Sequence, residues 1–226
     1  MIVGFDLDDT LYPEITYVHS GFRAVAEWLD AAAGCPADVS FRIMTDSLEA
    51  NGRGAQFDDV LQHWGLCTRQ RVQEALSVYR AHHPDISLPE SSQQVLRELG
   101  ATRALYLVTD GNHRVQARKV DALGVAPYFE HCYLTNRYGR SSAKPSTRTF
   151  ELMLSREQAP AERLIYVGDN PAKDFVGVRG LGGKTIRVRT GAHRDVVALP
   201  GHDADVTVHD ITSVVDAVLS FEASLG

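Results

Sequence analysis

Six short apolar runs recur along the chain, and each is typical of a buried β-strand. They are predicted at residues 1–6, 103–109, 131–135, 163–168, 185–189 and 205–208. After the second run, each is separated from the next by a helical pattern or by a glycine or proline turn. Fully apolar strands that alternate with helices favour a parallel sheet covered on both faces. The pattern therefore predicts an α/β fold with a Rossmann-like, doubly wound parallel sheet.

The segment between the first two strands has a different, helical periodicity. After a first helix over about residues 18–33, this segment is predicted to form helices around 37–50, 57–64 and 69–82. A connection this long and this structured is typical of an inserted domain. We therefore predict an α/β core of residues 1–13 plus 89–226, with an α-helical domain inserted at 14–88. The apolar positions of its first helix are Val18, Phe22, Val25, Leu29 and Ala33.

Composition narrows the classes of partner. The 226 residues carry a formal charge of −6 and no basic run, which argues against nucleic acid or an anionic membrane as the main partner. No apolar stretch approaches the length of a membrane span, and the start of the chain does not resemble a signal peptide. The three cysteines are far apart and suggest neither a disulfide framework nor a zinc site. We expect a cytoplasmic protein, a monomer or homodimer, that binds a small molecule.

The first strand ends in an unusual concentration of negative charge. Asp6, Asp8 and Asp9 fall within four positions, and like charges this close need a raised pKa or a nearby cation. Alternation along an extended segment places Asp6 and Asp8 on one side. The two carboxylates can then converge on one metal ion or substrate. An acidic turn after a strand is the alternative interpretation.

Three further segments place polar groups where strands end. Thr109 precedes a helix predicted to begin near His113, and a hydroxyl at a helix N-terminus suits phosphate oxygens. The residues after Thr109, Asp110 and Gly111, also fit a simple tight turn. Lys144 precedes a proline and is therefore held extended, and Ser146 or Thr147 is predicted to cap the next helix.

The last segment is Gly168-Asp169, which follows the fourth strand. Asp169 at the carboxyl edge of a sheet is suited to bind a metal. Pro171 is expected at the first position of a helix, with Asp174 one turn later. Asp174 would there complement the helix dipole, or it would contribute to the site. Because ligands of open parallel sheets bind outside the carboxyl ends of the strands, all four segments are expected to meet.

In their order and spacing, the four segments resemble the motifs of the haloacid dehalogenase superfamily, over nearly the whole chain. The inserted helical segment resembles the family's cap domain in its first location, the C1 type. Residues 11–14 and the start of the helix after Thr109 resemble the nucleotidase and acylneuraminate 9-phosphate phosphatase branch. The matching positions are Asp6, Asp8 and Thr10, then Thr109, then Lys144, then Gly168, Asp169 and Asp174, with Gln116, Lys119 and Gly139 also similar to this branch.

The resemblance implies a catalytic role for several of these positions. Asp6 would attack phosphorus as the nucleophile, and Asp8 would act as general acid and base. Thr109 and Lys144 would hold the phosphoryl oxygens. The Mg²⁺ cofactor would be bound by Asp6, by the backbone carbonyl of Asp8 and by Asp169, while Asp174 orients Lys144 or binds metal-bound water. Asp9 is interpreted as non-catalytic, and the remaining substrate-binding candidates are Leu7, Asp110 and Gly111.

The reaction class is narrowed by Asp8. Dehalogenases of this family lack the second carboxylate because a halide leaves without a proton, so Asp8 favours phosphate chemistry. We expect hydrolysis of a small phosphate monoester, a sugar phosphate or a nucleoside monophosphate, through an aspartyl-phosphate. A phosphomutase and a catalytically inactive binding module stay open as alternatives. The cap-side candidates for substrate contact are Tyr12, Tyr17, His19, Arg53, His63 and Tyr79.

Overall fold

The computed structural model describes residues 1–224 and contains one six-stranded sheet. Every neighbouring pair of strands is parallel, in the order β3-β2-β1-β4-β5-β6. This confirms the Rossmann-like α/β fold, and each strand lies within two residues of its predicted position. The strands are β1 (Ile2–Phe5), β2 (Ala104–Thr109), β3 (His131–Leu134), β4 (Leu164–Gly168), β5 (Lys184–Val188) and β6 (Val206–Val208).

Nine α-helices lie within the described residues. Four of them follow β1 directly: α1 (Glu14–Ala33), α2 (Ala37–Asn51), α3 (Gln56–His63) and α4 (Arg69–Ala81). The other five flank or connect the strands: α5 (Glu90–Gly100), α6 (His113–Leu123), α7 (Arg148–Glu157), α8 (Val176–Leu181) and α9 (Val214–Ala223). None of these helices is both long and apolar enough to cross a membrane.

The strand order places the functional edge of the sheet. The connections run outward from β1 in one direction and from β4 in the other, so the order reverses between these adjacent strands. Such a switch point leaves a crevice at the carboxyl ends of the strands. Asp6 follows β1, Thr109 ends β2 and Asp169 follows β4. The sheet therefore brings to one edge three residues that lie far apart in the sequence.

The chain divides into two compact units. The core unit is Met1–Glu14 and the chain from Ser87 onward, and it contains the sheet with a buried cluster that includes Tyr106, Phe150 and Tyr166. The helical unit is Ile15–Ile86, with its own apolar cluster around Phe22, Leu29 and Met44. Each unit therefore buries a core of its own. The function of the helical unit as a cap stays a prediction.

Two local predictions are wrong. No helix begins at Pro171, because Asn170 and Asp174 form a turn in which side chains take the backbone N–H groups. The Asn170 side chain accepts from the Ala172 N–H at 2.9 Å, and Asp174 Oδ2 accepts from the Asn170 N–H at 2.8 Å. Helix α8 begins only at Val176, so Asp174 precedes it.

The N-cap of α7 also differs from the prediction of Ser146 or Thr147, because no side chain among the described residues caps this helix. Thr147 donates to Glu151 at 2.8 Å and does not cap the helix, while Ser146 accepts a long bond of 3.4 Å from the Arg148 N–H.

Candidate active site

A buried ion pair joins the end of β1 to the loop before α7. The ammonium of Lys144 lies 2.6 Å from Oδ1 of Asp6, and both side chains are almost completely buried. Burial raises the pKa of Asp6 to about 6, although the charge of Lys144 opposes this effect. Asp6, the nucleophile implied by the family resemblance, is therefore in direct contact with Lys144, the implied ligand of the phosphoryl oxygens.

Lys144 is held by two further groups. Oδ1 of Asp174 lies 2.8 Å from its Nζ, and Nζ donates to the Tyr166 hydroxyl at 2.9 Å. Tyr166 in turn donates to the carbonyl of Val108 at 3.0 Å. Burial alone lowers the pKa of Lys144, but the carboxylates of Asp174 and Asp6 raise it well above its usual range. Lys144 is thus a fixed cation, and Asp174 is one of the groups that orient it.

A steric constraint explains why glycine occupies position 168, before Asp169. A Cβ atom on Gly168 would lie 2.5 Å from Oδ2 of Asp174 and 2.9 Å from its Cβ. Only glycine lets the Asp174 side chain approach the end of β4 this closely. The glycine therefore sets the distance between the strand end and the carboxylate that contacts Lys144.

Three buried carboxylates form a cluster at this edge: Asp6, Asp169 and Asp174. One oxygen of each lies within 4.8 Å of the others. Burial, with the negative charges of Asp6 and Asp174, raises the pKa of Asp169 to about 8. Hard oxygen donors packed this closely fit a divalent cation such as Mg²⁺, whose charge would offset their repulsion. We refer to these three residues as the carboxylate cluster.

Asp8 has a different environment from Asp6. Its Oδ1 accepts from the Lys119 ammonium and from the Tyr12 hydroxyl, each at 2.7 Å, and its Oδ2 accepts from Gln116 Nε2 at 2.8 Å. Burial raises the pKa of Asp8, but Lys119 and the two other donors together lower it below its usual value. The two aspartates, two positions apart, are therefore held by separate cations.

The loops after β2 and β3 complete the site. Thr109 is buried and its Oγ1 accepts from Gln116 Nε2 at 2.6 Å. Asp110 accepts from the Thr135 hydroxyl at 2.8 Å and from the backbone N–H of Lys144 at 3.1 Å, so it fixes the lysine loop. Gly111 is exposed with φ of 118°. Leu7 is fully buried, so its side chain is not exposed to a substrate.

Asp9 is a structural link beside the site. It adopts a positive φ of 56°, and its carboxylate accepts from the backbone N–H groups of Glu14 at 2.8 Å and Ala192 at 3.1 Å. Its carbonyl also accepts from the Thr190 hydroxyl. These bonds connect the loop after β1 to the start of α1 and to the loop after β5. This supports the interpretation of Asp9 as non-catalytic.

Sequence reasoning missed two residues of the site. Tyr166 occupies an interior position of β4 and is indistinguishable by pattern from a core tyrosine. Lys173 lies 3.5 Å from Oδ2 of Asp110, and despite burial the carboxylates of Asp6 and Asp174 contribute to raising its pKa. The sequence signal that could have identified Lys173 is its position directly before Asp174 in the Gly168–Asp174 motif.

The predicted cap-side candidates divide between the two units. Tyr12 belongs to the core unit, where it donates to Asp8. In the helical unit, the rings of Tyr17 and Tyr79 pack edge to face at 5.5 Å, within the aromatic part of its core. Arg53 and Tyr79 line a cavity of about 490 Å³ inside this unit. His19 packs against Phe41 and His63 against Trp64.

The motifs and fold agree with the comparison to known families. The profile of the haloacid dehalogenase-like hydrolases matches residues 1–182, so the chain belongs to this family. The chain is 28% identical over 222 residues to a glyceraldehyde 3-phosphate phosphatase of Methanocaldococcus jannaschii, covering 95% of each chain. It is 32% identical over 200 residues to the enzyme of the same name from Pyrococcus abyssi, covering 84% of this chain and 82% of that one.

A solved structure agrees with the fold. A superfamily hydrolase from Geobacter sulfurreducens superimposes with a TM-score of 0.67 at 15% identity, over 96% of this chain and 95% of that one. At this identity the likeness is evidence for the fold alone. With the family match and the phosphatase relatives, the chain is a phosphoric monoester hydrolase of this family.

Proposed function

We propose that this protein is a Mg²⁺-dependent phosphatase that hydrolyses a small sugar phosphate through an aspartyl-phosphate on Asp6. The observation that carries the proposal is the convergence of Asp6 with both a fixed ammonium and further carboxylates. Lys144 lies 2.6 Å from Asp6, and the carboxylate cluster brings oxygens of Asp169 and Asp174 to within 4.8 Å. Transfer of a phosphoryl group to a carboxylate uses this combination: a nucleophile, a cation to stabilise the phosphoryl oxygens, and ligands for a metal ion.

The reaction has two balanced steps. In the first, a carboxylate oxygen of Asp6 bonds to phosphorus, the bond to the ester oxygen breaks, and that oxygen takes a proton from the Asp8 carboxyl. In the second, water bonds to phosphorus, Asp8 takes its proton, and the bond between phosphorus and Asp6 breaks. The sum is ester plus water to alcohol plus phosphate, with Asp6 and Asp8 restored.

The remaining residues supply binding and charge. Lys144 and Thr109 hold the phosphoryl oxygens, with backbone groups of Leu7, Asp110 and Gly111 beside them. Asp6 and Asp169, with the backbone carbonyl of Asp8, would hold Mg²⁺. When bound, the ion would neutralise charge on the phosphoryl group. Asp174 serves mainly to orient Lys144, since its Oδ1 lies 2.8 Å from that ammonium.

The substrate class is drawn from the relatives. Two proteins that match over most of this chain carry the name glyceraldehyde 3-phosphate phosphatase. Identities of 28% and 32% favour a small phosphorylated carbohydrate as a class and leave the individual ester to be measured. The nucleoside monophosphates that the sequence also suggested belong in the same panel.

The test is a kinetic panel with Mg²⁺ that contains p-nitrophenyl phosphate, triose and hexose phosphates and nucleoside monophosphates. Release of inorganic phosphate is the readout, with mass spectrometry of the acid-quenched protein to find a phosphoryl group on the Asp6 peptide. We expect a triose or other sugar phosphate to give the highest kcat/KM. Isomerised ester without released phosphate would instead assign a phosphomutase.

The matched variants are Asp6→Asn and Asp46→Asn. Both replace a carboxylate with its amide, but Asp46 is an exposed residue of α2. We expect Asp6→Asn to lose activity and the covalent adduct, and Asp46→Asn to keep both. Activity that survives in Asp6→Asn, or in excess EDTA, would contradict the mechanism. No turnover of any ester would favour the binding module.

A further inference from the structure

The side chain of Asp8 is fixed at both of its oxygens by residues of a single helix and by Tyr12. Lys119 and Tyr12 contact Oδ1 at 2.7 Å, and Gln116 contacts Oδ2 at 2.8 Å. Lys119 and Gln116 lie three positions apart in α6, so they project from the same face of the helix. A carboxylate held at both oxygens has little freedom to rotate about its side-chain torsions.

Gln116 connects Asp8 to the phosphate side of the site. Its Nε2 lies 2.8 Å from Oδ2 of Asp8 and 2.6 Å from Oγ1 of Thr109. One amide group therefore sets the spacing between the proposed acid/base and the proposed phosphate ligand. Gln116 itself is buried, and its position is fixed by the α6 backbone.

Lys119 is a buried cation. Its side chain is 2% exposed, and its ammonium lies between Asp8 and Glu14, at 2.7 Å and 3.1 Å. Burying an ammonium is costly unless its partners are well placed. The pair with Asp8 is the shorter of the two, so Lys119 makes a close, direct contact with the proposed acid/base residue.

We propose that Lys119 and Gln116 are positioning residues that aim the carboxyl group of Asp8 at the ester oxygen that leaves and at the water that follows. This inference rests on the proposed function, because it assigns them a part in its proton transfers. A group held in the reactive geometry transfers its proton far faster than one that rotates freely. The donors would thus determine how well Asp8 works without touching substrate themselves.

The dependence on leaving group separates this role from a merely structural one. The phenolate that leaves p-nitrophenyl phosphate needs no proton, whereas the alkoxide that leaves an alkyl phosphate does. The ratio kcat/KM covers the reaction through transfer to Asp6, which is the step that releases the leaving group. A misplaced Asp8 therefore reduces kcat/KM for the alkyl ester and leaves that for p-nitrophenyl phosphate much less affected.

The experiment compares Lys119→Met, Gln116→Met and Arg114→Met with wild type, on p-nitrophenyl phosphate and on the alkyl phosphate that wild type hydrolyses best. Arg114 is an exposed cation of the same helix and serves as the control. We expect kcat/KM for the alkyl ester to fall by about 10- to 100-fold in the first two variants. For p-nitrophenyl phosphate we expect a loss of less than about threefold, and Asp8→Asn should show the same asymmetry.

Equal losses on both esters would overturn the inference and make Lys119 and Gln116 structural residues only. If Lys119→Met does not fold, as judged by circular dichroism, Gln116→Met decides the matter because it removes no charge. Wild type that releases phosphate from both esters upholds the proposed function even if the variants show no asymmetry. Wild type that hydrolyses neither ester would end both proposals.

Discussion

At the residue scale, Gly168 is a position in the site where the structure leaves no room for a side chain. Replacing it with alanine would place a Cβ atom 2.5 Å from a carboxylate oxygen of Asp174. Because Asp174 orients Lys144, we expect Gly168→Ala to lower kcat by more than about tenfold and to destabilise the fold by about 1–3 kcal/mol. Kinetics and urea unfolding measure the two effects.

Gly180→Ala is the control for that substitution. It lies in helix α8 with no atom within 4 Å of the added Cβ. Alanine favours a helix interior over glycine by up to about 1 kcal/mol, so this variant should be as stable as wild type or more stable. Full activity in Gly168→Ala would mean that the approach of Asp174 to β4 is not needed.

The three cysteines differ in their exposure to solvent. Burial raises the pKa of Cys132 to about 11, and burial with the carboxylate of Asp30 raises the pKa of Cys35, so we expect both thiols to react slowly near pH 8. Cys67 is exposed. With Ellman's reagent we expect one fast thiol in the native protein and three after denaturation, because only thiolates react. Cys67→Ser should abolish the fast phase, and a fast phase that persists would contradict this assignment.

The sequence predicts those residues of the candidate site that are charged and follow apolar strands, because charged side chains are unusual at such positions unless they bind something. Asp6 and Asp169 directly follow apolar strands, and Asp8 comes two positions after Asp6. Lys144 lies in the loop between β3 and α7, and the structure brings it into contact with Asp6 at the carboxyl edge of the sheet. Tyr166 could not be found this way, because it occupies a core position and its hydroxyl accepts from Lys144 only once the chain is folded. Partners of this kind are determined by tertiary packing and not by local pattern.

At the element scale, strands were easier to predict than helix starts. The central strands β1, β2 and β4 are buried along almost their whole length, so they appear in the sequence as continuous apolar runs. The start of α8 was predicted five residues too early because proline often begins a helix. Here Asn170 and Asp174 accept the backbone N–H groups with their own side chains, which stabilises a turn in place of a helix.

The start of β2 and the end of α9 are joined by a bidentate ion pair. Arg103 donates to the two oxygens of Glu222 at 2.7 Å and 2.6 Å, and this hydrogen bonding lowers the pKa of Glu222 below its usual 4.5. We expect Glu222→Gln to lower the free energy of unfolding at pH 7 by about 1 kcal/mol. Urea unfolding at several pH values measures it.

The pH dependence of that loss has a definite sign. A carboxyl whose pKa is lower in the folded state contributes stability above its unfolded pKa and loses it as the pH falls through the folded value. The difference between wild type and Glu222→Gln should therefore shrink below about pH 4. Glu162→Gln, at an exposed position, should match wild type throughout. A difference that does not change with pH would mean that packing, not charge, connects the two elements.

At the scale of the whole molecule, the carboxylate cluster exists only when the sheet has formed. Asp6 follows β1, whereas Asp169 and Asp174 follow β4, and more than 150 positions of chain separate the two strands. A ligand that binds the folded cluster and not the unfolded chain stabilises the entire core unit, by about 2.7 kcal/mol at a concentration one hundred times its Kd. Mg²⁺ should therefore raise Tm.

The same cluster predicts a reversal in Asp169→Asn. Without a divalent cation, the raised pKa of Asp169, about 8, means that folding must either protonate this carboxyl or hold it ionised beside Asp6 and Asp174. The amide avoids that cost, so the variant should melt above wild type in EDTA at about pH 7. With Mg²⁺ present, wild type should gain stability and the variant should gain little, since it lacks one of the ligands. Differential scanning fluorimetry in EDTA and in Mg²⁺, at ionic strength matched with KCl, measures both. If Mg²⁺ raised Tm equally in both proteins, the ion would be binding elsewhere, and the carboxylate cluster would not be the metal site.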